Sequence, residues 1–224
     1  MSQPQEKSDR ATKRNHATGA STRIALMEAA ETLFATRGID SVTLREIQLA
    51  AGQSNTSVIG YHFASREGLI HALIEYRHQA LDADREAILE QMHTAGTTAD
   101  PRAVVWLIVR PLANSLRNGE MFAPFLARLS EDPEARLRYW PEHIDDAWSS
   151  DEMEHLLDAA LQDMPVRIRR GRTFQLYNSV LNLLGARARA GKQISEAQLH
   201  NYVDGWVGML TAPVSYETRA LLDD

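Results

Sequence analysis

The chain contains no cysteine, which excludes a disulfide framework and any thiolate metal centre. No apolar run approaches the ~20 residues that a bilayer span requires, so no membrane partner is expected. The opening segment, MSQPQEKSDRATKRNHATGAST, is polar and lacks the hydrophobic core of a secretory signal. A cytoplasmic protein is expected. No segment alternates apolar and polar residues with period two, and no internal repeat occurs, which argues against strands. There is no glycine-rich phosphate loop and no nucleophile elbow, and no cofactor is expected. What is present is helical amphipathicity over 224 residues, enough length for one large or two small domains with a sizeable core.

The net charge of −6 looks unfavourable for a nucleic-acid partner, but its distribution matters more. Residues 1–66 hold 8 Lys and Arg against 6 Asp and Glu, whereas residues 67–224 hold 16 against 24. The positive excess sits at the N-terminal end. Free charges more than ~10 Å apart are largely screened, so the local potential governs phosphate contacts. Residues 1–20 carry Lys7, Arg10, Lys13, Arg14 and His16 without apolar periodicity and read as a disordered polar tail. A basic arm in a DNA minor groove is a second reading of the same residues.

Residues 43–63 are the most informative stretch. Thr43 and Glu46 form a possible capping box, and Leu44, Ile47 and Ala51 lie at helical spacing. Gly52 follows, where a left-handed turn suits glycine. Ser54 is a plausible N-cap for a second helix, with Asn55, Thr56 and Ser57 in its first turn. Those short donors and acceptors can reach base edges and phosphates without bulk. Val58 and Ile59 turn back to the core, and the segment closes on Tyr61-His62-Phe63. Two short helices joined by a glycine-containing turn form a helix-turn-helix, whose second helix enters the major groove. An ordinary helical hairpin is the competing reading.

The flanks favour DNA binding. Residues 22–38 read as one helix, with Leu26, Ala30, Leu33 and Phe34 on a stripe, and Ser65-Arg66-Glu67 opens another. Together with Ala29-Ala30, Leu33-Phe34, Arg37-Gly38, Thr43-Leu44-Arg45-Glu46-Ile47, Ala51-Gly52, Tyr61-His62-Phe63 and Ser65-Arg66-Glu67-Gly68-Leu69, this order resembles the N-terminal domain of the TetR family of transcriptional regulators. The resemblance implies an all-α fold: a disordered tail over 1–20, a DNA-binding domain over 21–67, and an effector-binding and dimerisation domain over 68–224. It implies a probe over 53–61, from Gln53 and Ser54 onward, with Asn55, Thr56 and Ser57 facing bases. Thr43, Arg45, Tyr61, His62 and Arg66 would hold phosphates. The partners implied are a palindromic double-stranded DNA operator, a second copy of the chain, and a small-molecule effector whose binding releases the operator. Gln48 departs from the family's usual alanine, and the stretch from Gly52 to Tyr61 is one residue longer than the commonest form. Ser54 stands where a related subgroup has a basic residue.

Beyond Gly68 the chain remains helical, with helices expected over 69–93, from 101, over 121–129, 134–140, 151–162, 172–190, and from Ser195, whose Gln198 completes a second candidate capping box. Pro111 is expected to kink or interrupt its helix. Tyr177, Leu181, Leu184 and Ala188 share one face, and Leu199, Tyr202, Trp206 and Leu210 another, with Gly185 and Ala186 admitting a neighbouring backbone. These two helices resemble the pair that forms the family's four-helix dimer interface; completing the subunit's own core is the alternative. Pockets are mainly apolar and aromatic, so Trp106, Met121, Phe122, Phe125, Tyr139, Trp140, His143, Trp148 and Phe174 are candidate effector contacts, with Arg110 facing an acidic ligand. Each of them could instead be plain core or surface. His71, Glu75 and His78 lie on one helical face at metal-ligand spacing. No fourth ligand or general acid accompanies them, which favours a solvated face over a metal site or an enzyme.

Overall fold

A computed structural model of the chain describes residues 4–141 and 148–222, with the backbone alone over 4–18 and 148–151. Eleven helices and no strand occur among the described residues. His143 lies outside them, and Trp148 and the basic side chains of residues 7–16 lie outside the described side chains.

The first helix, α1 (Pro4–Arg37), is longer than expected. The tail read as disordered is helical from Pro4 onward. Residues 5–18 contain neither proline nor glycine; once residues 22–37 are helical, each added residue gains a bond without a new nucleus. The helix stops at Gly38, whose N–H donates to the Phe34 carbonyl at 2.9 Å. Two short helices follow, α2 (Leu44–Ala50) and α3 (Val58–Phe63), and then α4 (Arg66–Ala95), capped by the Ser65 hydroxyl accepting from the Gly68 N–H.

The remaining helices are α5 (Pro101–Arg117), α6 (Phe122–Glu131), α7 (Pro133–Tyr139), α8 (Trp148–Ala160), α9 (Val166–Arg189), α10 (Glu196–Thr211) and α11 (Tyr216–Ala220). Helix α5 passes through Pro111 without a break; the proline is buried within a helix packed against α4 and α10. Helix α9 begins at Val166, six residues before the expected start, because Pro165 immediately precedes it and nothing up to Arg172 interrupts it. The capping box of α10 is present, with the Ser195 hydroxyl accepting from the Gln198 N–H and the Gln198 amide accepting from the Ser195 N–H, both at 3.2 Å.

One hydrophobic core runs through the bundle. Phe34 of α1 meets Phe125 of α6 with ring centroids 6.1 Å apart, so the helix that supports the N-terminal pair is packed directly on the C-terminal helices. Gly185 of α9 makes a similar junction: a Cβ there would lie 3.1 Å from the Ala127 Cβ and 3.2 Å from the Pro124 Cα of α6. The backbone that Gly185 admits therefore belongs to the same subunit. Leu184, Leu199, Trp206 and Leu210 are likewise buried inside the subunit, and the Trp206 indole N–H donates to the Ser179 hydroxyl at 2.8 Å. These four are core of the subunit, because α9 packs on α6 and α5, and α10 on α5 and α9. Ala188 and Tyr202 keep partial exposure.

Candidate DNA interface and effector cavity

The interface is built from Thr43 onward. The Thr43 backbone N–H donates to Glu46 Oε2 at 2.7 Å, the Thr43 hydroxyl lies 2.8 Å from the same oxygen, and the Glu46 N–H donates back to Thr43 Oγ1 at 3.2 Å. Arg37 adds a 2.8 Å ion pair to Glu46 Oε1 and donates to the Ser41 carbonyl at 3.0 Å. The Thr43 N–H and hydroxyl, followed by Arg37, hold the Glu46 carboxyl down at about 2. The start of α2 is thus fixed by local groups, and the outward side chains of Thr43 and Arg45 are displayed from it.

The turn after α2 closes on Gly52, at φ +69°, where a side chain would be strained although no atom lies within 4 Å of a would-be Cβ. The Gly52 N–H donates to the Leu49 carbonyl and the Gln53 N–H to the Gln48 carbonyl, both at 3.0 Å. Buried Gln48 returns the bond across the turn, its Nε2 donating to the Gln53 carbonyl at 3.3 Å, while the Gln53 amide donates to the Ala51 carbonyl. An alanine at 48 could not make this bridge. The residue that departs from the family pattern therefore braces the longer turn.

Helix α3 starts three residues later than its expected first turn. Asn55 Oδ1 accepts from the Ser57 N–H at 3.0 Å, and the Val58 N–H donates to the Asn55 carbonyl at 3.3 Å. Asparagine offers its own backbone an alternative to the helix, so Ser54 does not cap α3, and Asn55, Thr56 and Ser57 form a turn at its N-terminus. All of Ser54–Ser57 are exposed, as are Gly60 and Tyr61, the last at 84 %. Val58, Ile59 and Phe63 are buried on the opposite side. One face of this short element is core and the other is small, polar and open.

Two arginines distinguish themselves here. Arg66, expected on a phosphate, is turned inward: it donates to the Val42 carbonyl at 2.7 Å and to the Ile39 carbonyl, with its guanidinium 5.2 Å from the centre of the Phe34 ring. It ties α4 to the loop between α1 and α2, whose two carbonyls have no helical partner. Arg23, not anticipated, donates to the His62 carbonyl at 2.7 Å and lies 4.6 Å over the Phe63 ring. It supports the C-terminal end of α3 from α1, where a cation complements unpaired carbonyls. Partial burial, then the Arg23 charge, pushes the His62 imidazole below its ordinary value, so His62 faces the surface as a neutral ring at pH 7.

A cavity of about 420 Å³ lies in the C-terminal bundle, walled by α4, α6, α8 and α9. Of the ten side chains expected there, Trp140 and Phe174 line it. Phe122, Phe125 and Tyr139 are buried in the core, and Met121 packs against it while its N–H donates to Glu31. Trp106 and Arg110 face each other at 4.3 Å, and Arg110 is paired with Glu196 at 2.8 Å. They are diverted from the cavity because α5 directs them toward α10. Tyr177 and Leu181, expected at a dimer interface, line the cavity instead, and burial pushes the Tyr177 hydroxyl up. His78, Leu81 and Arg85 of α4 complete that wall; periodicity reveals that α4 has an inner face but not that the face borders a void. Among the described residues no group of three or more His, Asp or Glu side chains is placed to hold a metal ion, and no helix is long and apolar enough to cross a membrane.

A buried helix pair closed by a glycine turn, with an open polar face on its second member, defines a helix-turn-helix DNA-binding protein. The sequence pattern of the family described as bacterial regulatory proteins, tetR family, matches residues 26–73, from the middle of α1 into α4. Over 174 residues the chain is 29 % identical to the HTH-type transcriptional repressor Rv1474c of Mycobacterium tuberculosis (strain ATCC 25618 / H37Rv), covering 74 % of this chain and 91 % of that one. The fold is similar to the crystal structure of a gamma-butyrolactone receptor (ArpA-like protein), with a TM-score of 0.50, 20 % identity, and coverage of 86 % of this chain and 97 % of the other. The chain is thus similar to DNA-binding transcriptional regulators of the tetR family.

Proposed function

We propose that the protein is a homodimeric cytoplasmic repressor that holds a palindromic operator and releases it when a small molecule fills the cavity. The observation that carries this reading is the open face of Ser54–Ser57, Gly60 and Tyr61 on a rigidly braced turn. Residues 21–67 serve as the DNA-binding domain and 68–224 as the effector and dimerisation domain. Asn55, Thr56 and Ser57 read base edges, and Thr43, Arg45, Tyr61 and the neutral His62 contact phosphates. A second copy joins through the outer faces of α9 and α10, where Gly205 and Gly208 are exposed and nothing lies within 4 Å of a would-be Cβ. Two-fold symmetry then matches half-sites spaced by about one helical turn, or a multiple of it. Helix α4 begins against α3 and continues to the cavity wall, so a ligand that favours one arrangement of α4 over another shifts the spacing of the two readers. The 29 % identical relative is named a repressor, and the structural neighbour is named a gamma-butyrolactone receptor; both names agree with this reading.

Selection of bound duplexes from a randomised pool, followed by sequencing, tests it. An inverted repeat is expected. Enrichment of a single unrepeated site would remove the dimer, and no enrichment at low ionic strength would remove operator reading altogether.

A further inference from the structure

We infer that the cavity takes an amphipathic anion, such as a carboxylate on an aliphatic chain, with its head group on Arg136 at the opening and its chain along a leucine wall. The inference rests on the reading of the cavity as the effector site and specifies its ligand class. Arg85, Arg136, Arg169 and Arg170 line the cavity, and its acids are Glu154 and Asp158. Three of these arginines are already matched. Arg169 pairs with Asp158 at 2.6 Å and Arg170 with Glu154 at 3.3 Å, which occupies both acids of the wall. Arg85 pairs with Asp82 on its own helix at 2.9 Å. Arg136 of α7 has no acidic partner among the described residues; its neighbour is the Trp140 ring, 6.0 Å away. The arginine charge left over on the wall is therefore positive and unshared.

Arg136 is exposed and Trp140 is half-buried, and both line the cavity. Contact with the ring steadies the guanidinium at the opening. A planar guanidinium donates two parallel N–H bonds to a carboxylate, which gives the head group both charge and direction. Because Arg136 meets water, a carboxylate held there keeps part of its hydration and escapes the cost of full burial. Behind it, Leu81, Leu112, Leu126, Leu129 and Leu157 offer an aliphatic chain an apolar lining. The volume of about 420 Å³ suits a small molecule. An ammonium on the same chain would be repelled by Arg136 and would find Glu154 and Asp158 already held by arginines.

Titration calorimetry of the full chain at about pH 7 compares decanoate with decylammonium, which share a chain and differ in the sign of the head group. Decanoate is expected to bind roughly tenfold or more tightly than decylammonium. Arg136→Gln, at an exposed position, is expected to reduce that preference about fivefold. Lys192→Gln, an equal change of charge between α9 and α10, should leave the preference in place. Decylammonium binding as tightly as decanoate overturns the proposal, as does absence of decanoate binding; both outcomes need only the natural protein. A preference that Arg136→Gln leaves intact, or that Lys192→Gln reduces as much, overturns it too. Asn178→Trp, checked for an unchanged circular dichroism spectrum, places an indole at the cavity wall from α9 and should abolish binding. Decanoate affinity unchanged in Asn178→Trp would put the ligand outside the cavity and overturn the proposal. Decanoate that binds with the expected preferences, yet leaves affinity for the selected duplex unchanged, would support the ligand class and refute the cavity as the effector site.

Discussion

Arg66 and Arg45 carry the same charge within one small domain and face opposite ways. Arg66 bonds two loop carbonyls, of Val42 and Ile39, both residues being buried, and stacks on Phe34. Arg45 stands exposed on α2. Removing Arg66 leaves the Val42 carbonyl unpaired and the Ile39 carbonyl with only a 3.5 Å bond from the Val42 N–H, so Arg66→Ala should destabilise the fold by about 3 kcal/mol, read as a lowered denaturant midpoint. Its log–log salt slope for operator binding should stay unchanged in protein that remains folded. Arg45→Ala should do the reverse, leaving the midpoint in place and reducing the slope by about one. A reduced slope in Arg66→Ala would return that residue to the phosphates. Residue type at position 66 showed a cation close to the reader. It could not show the direction of the guanidinium, which depends on two carbonyls 24 and 27 residues away.

Helix ends were legible where a pair of side chains determines them. Thr43 with Glu46 and Ser195 with Gln198 both form the expected reciprocal caps. Helix α3 begins later than Ser54 predicts because the Asn55 side chain bonds the Ser57 N–H and delays the helix. The brace from Gln48 was visible only as a departure from a pattern; its reason is a bond across the turn. The α2 cap has a pH signature. The Glu46 carboxyl lies at about 2 in the folded chain, below its ordinary 4.5, so the unfolded chain binds a proton first as pH falls. Its contribution is therefore complete above about 4.5 and is lost on descent toward 2. Glu46→Gln keeps a capping side chain without the charge. The melting-temperature gap between the natural protein and Glu46→Gln should be present at pH 6 and close between pH 4.5 and 2. A gap that stays constant over that range would show that ionisation of Glu46 is not what supports α2.

At the scale of the whole molecule, α1, which supports the reader, and α4, which borders the cavity, meet at a buried ionic joint. Glu31 of α1 is 2 % exposed; Arg77 of α4 donates to its Oε2 and the Met121 N–H to its Oε1, each at 2.5 Å. Arg77 also pairs with Glu120 at 2.8 Å, whose other oxygen accepts from the Ser115 hydroxyl at 2.6 Å. Four segments therefore converge on one guanidinium and two carboxylates. Arg77 precedes Arg85 by eight residues on α4, about 12 Å along the helix. Periodicity could not locate this joint, because Glu31 sits between apolar residues on a stripe that reads as ordinary core. Burial pushes the Glu31 carboxyl up even against Arg77, which is itself held charged by its partners. Arg77→Met leaves Glu31 uncompensated and should cost about 3–5 kcal/mol at neutral pH. A carboxyl whose folded value lies above its unfolded one contributes most at low pH and loses that contribution as pH rises through the interval. The penalty of Arg77→Met should accordingly be smaller at pH 4, where Glu31 can hold its proton, than at pH 8. Adding Glu31→Gln should recover much of the loss at pH 8, because a neutral amide can stay buried without a counter-charge. Guanidinium melts at the two pH values decide the matter: a penalty independent of pH, or undiminished in the double variant, would mean that the joint stabilises the molecule through packing of the Arg77 side chain and not through its charge.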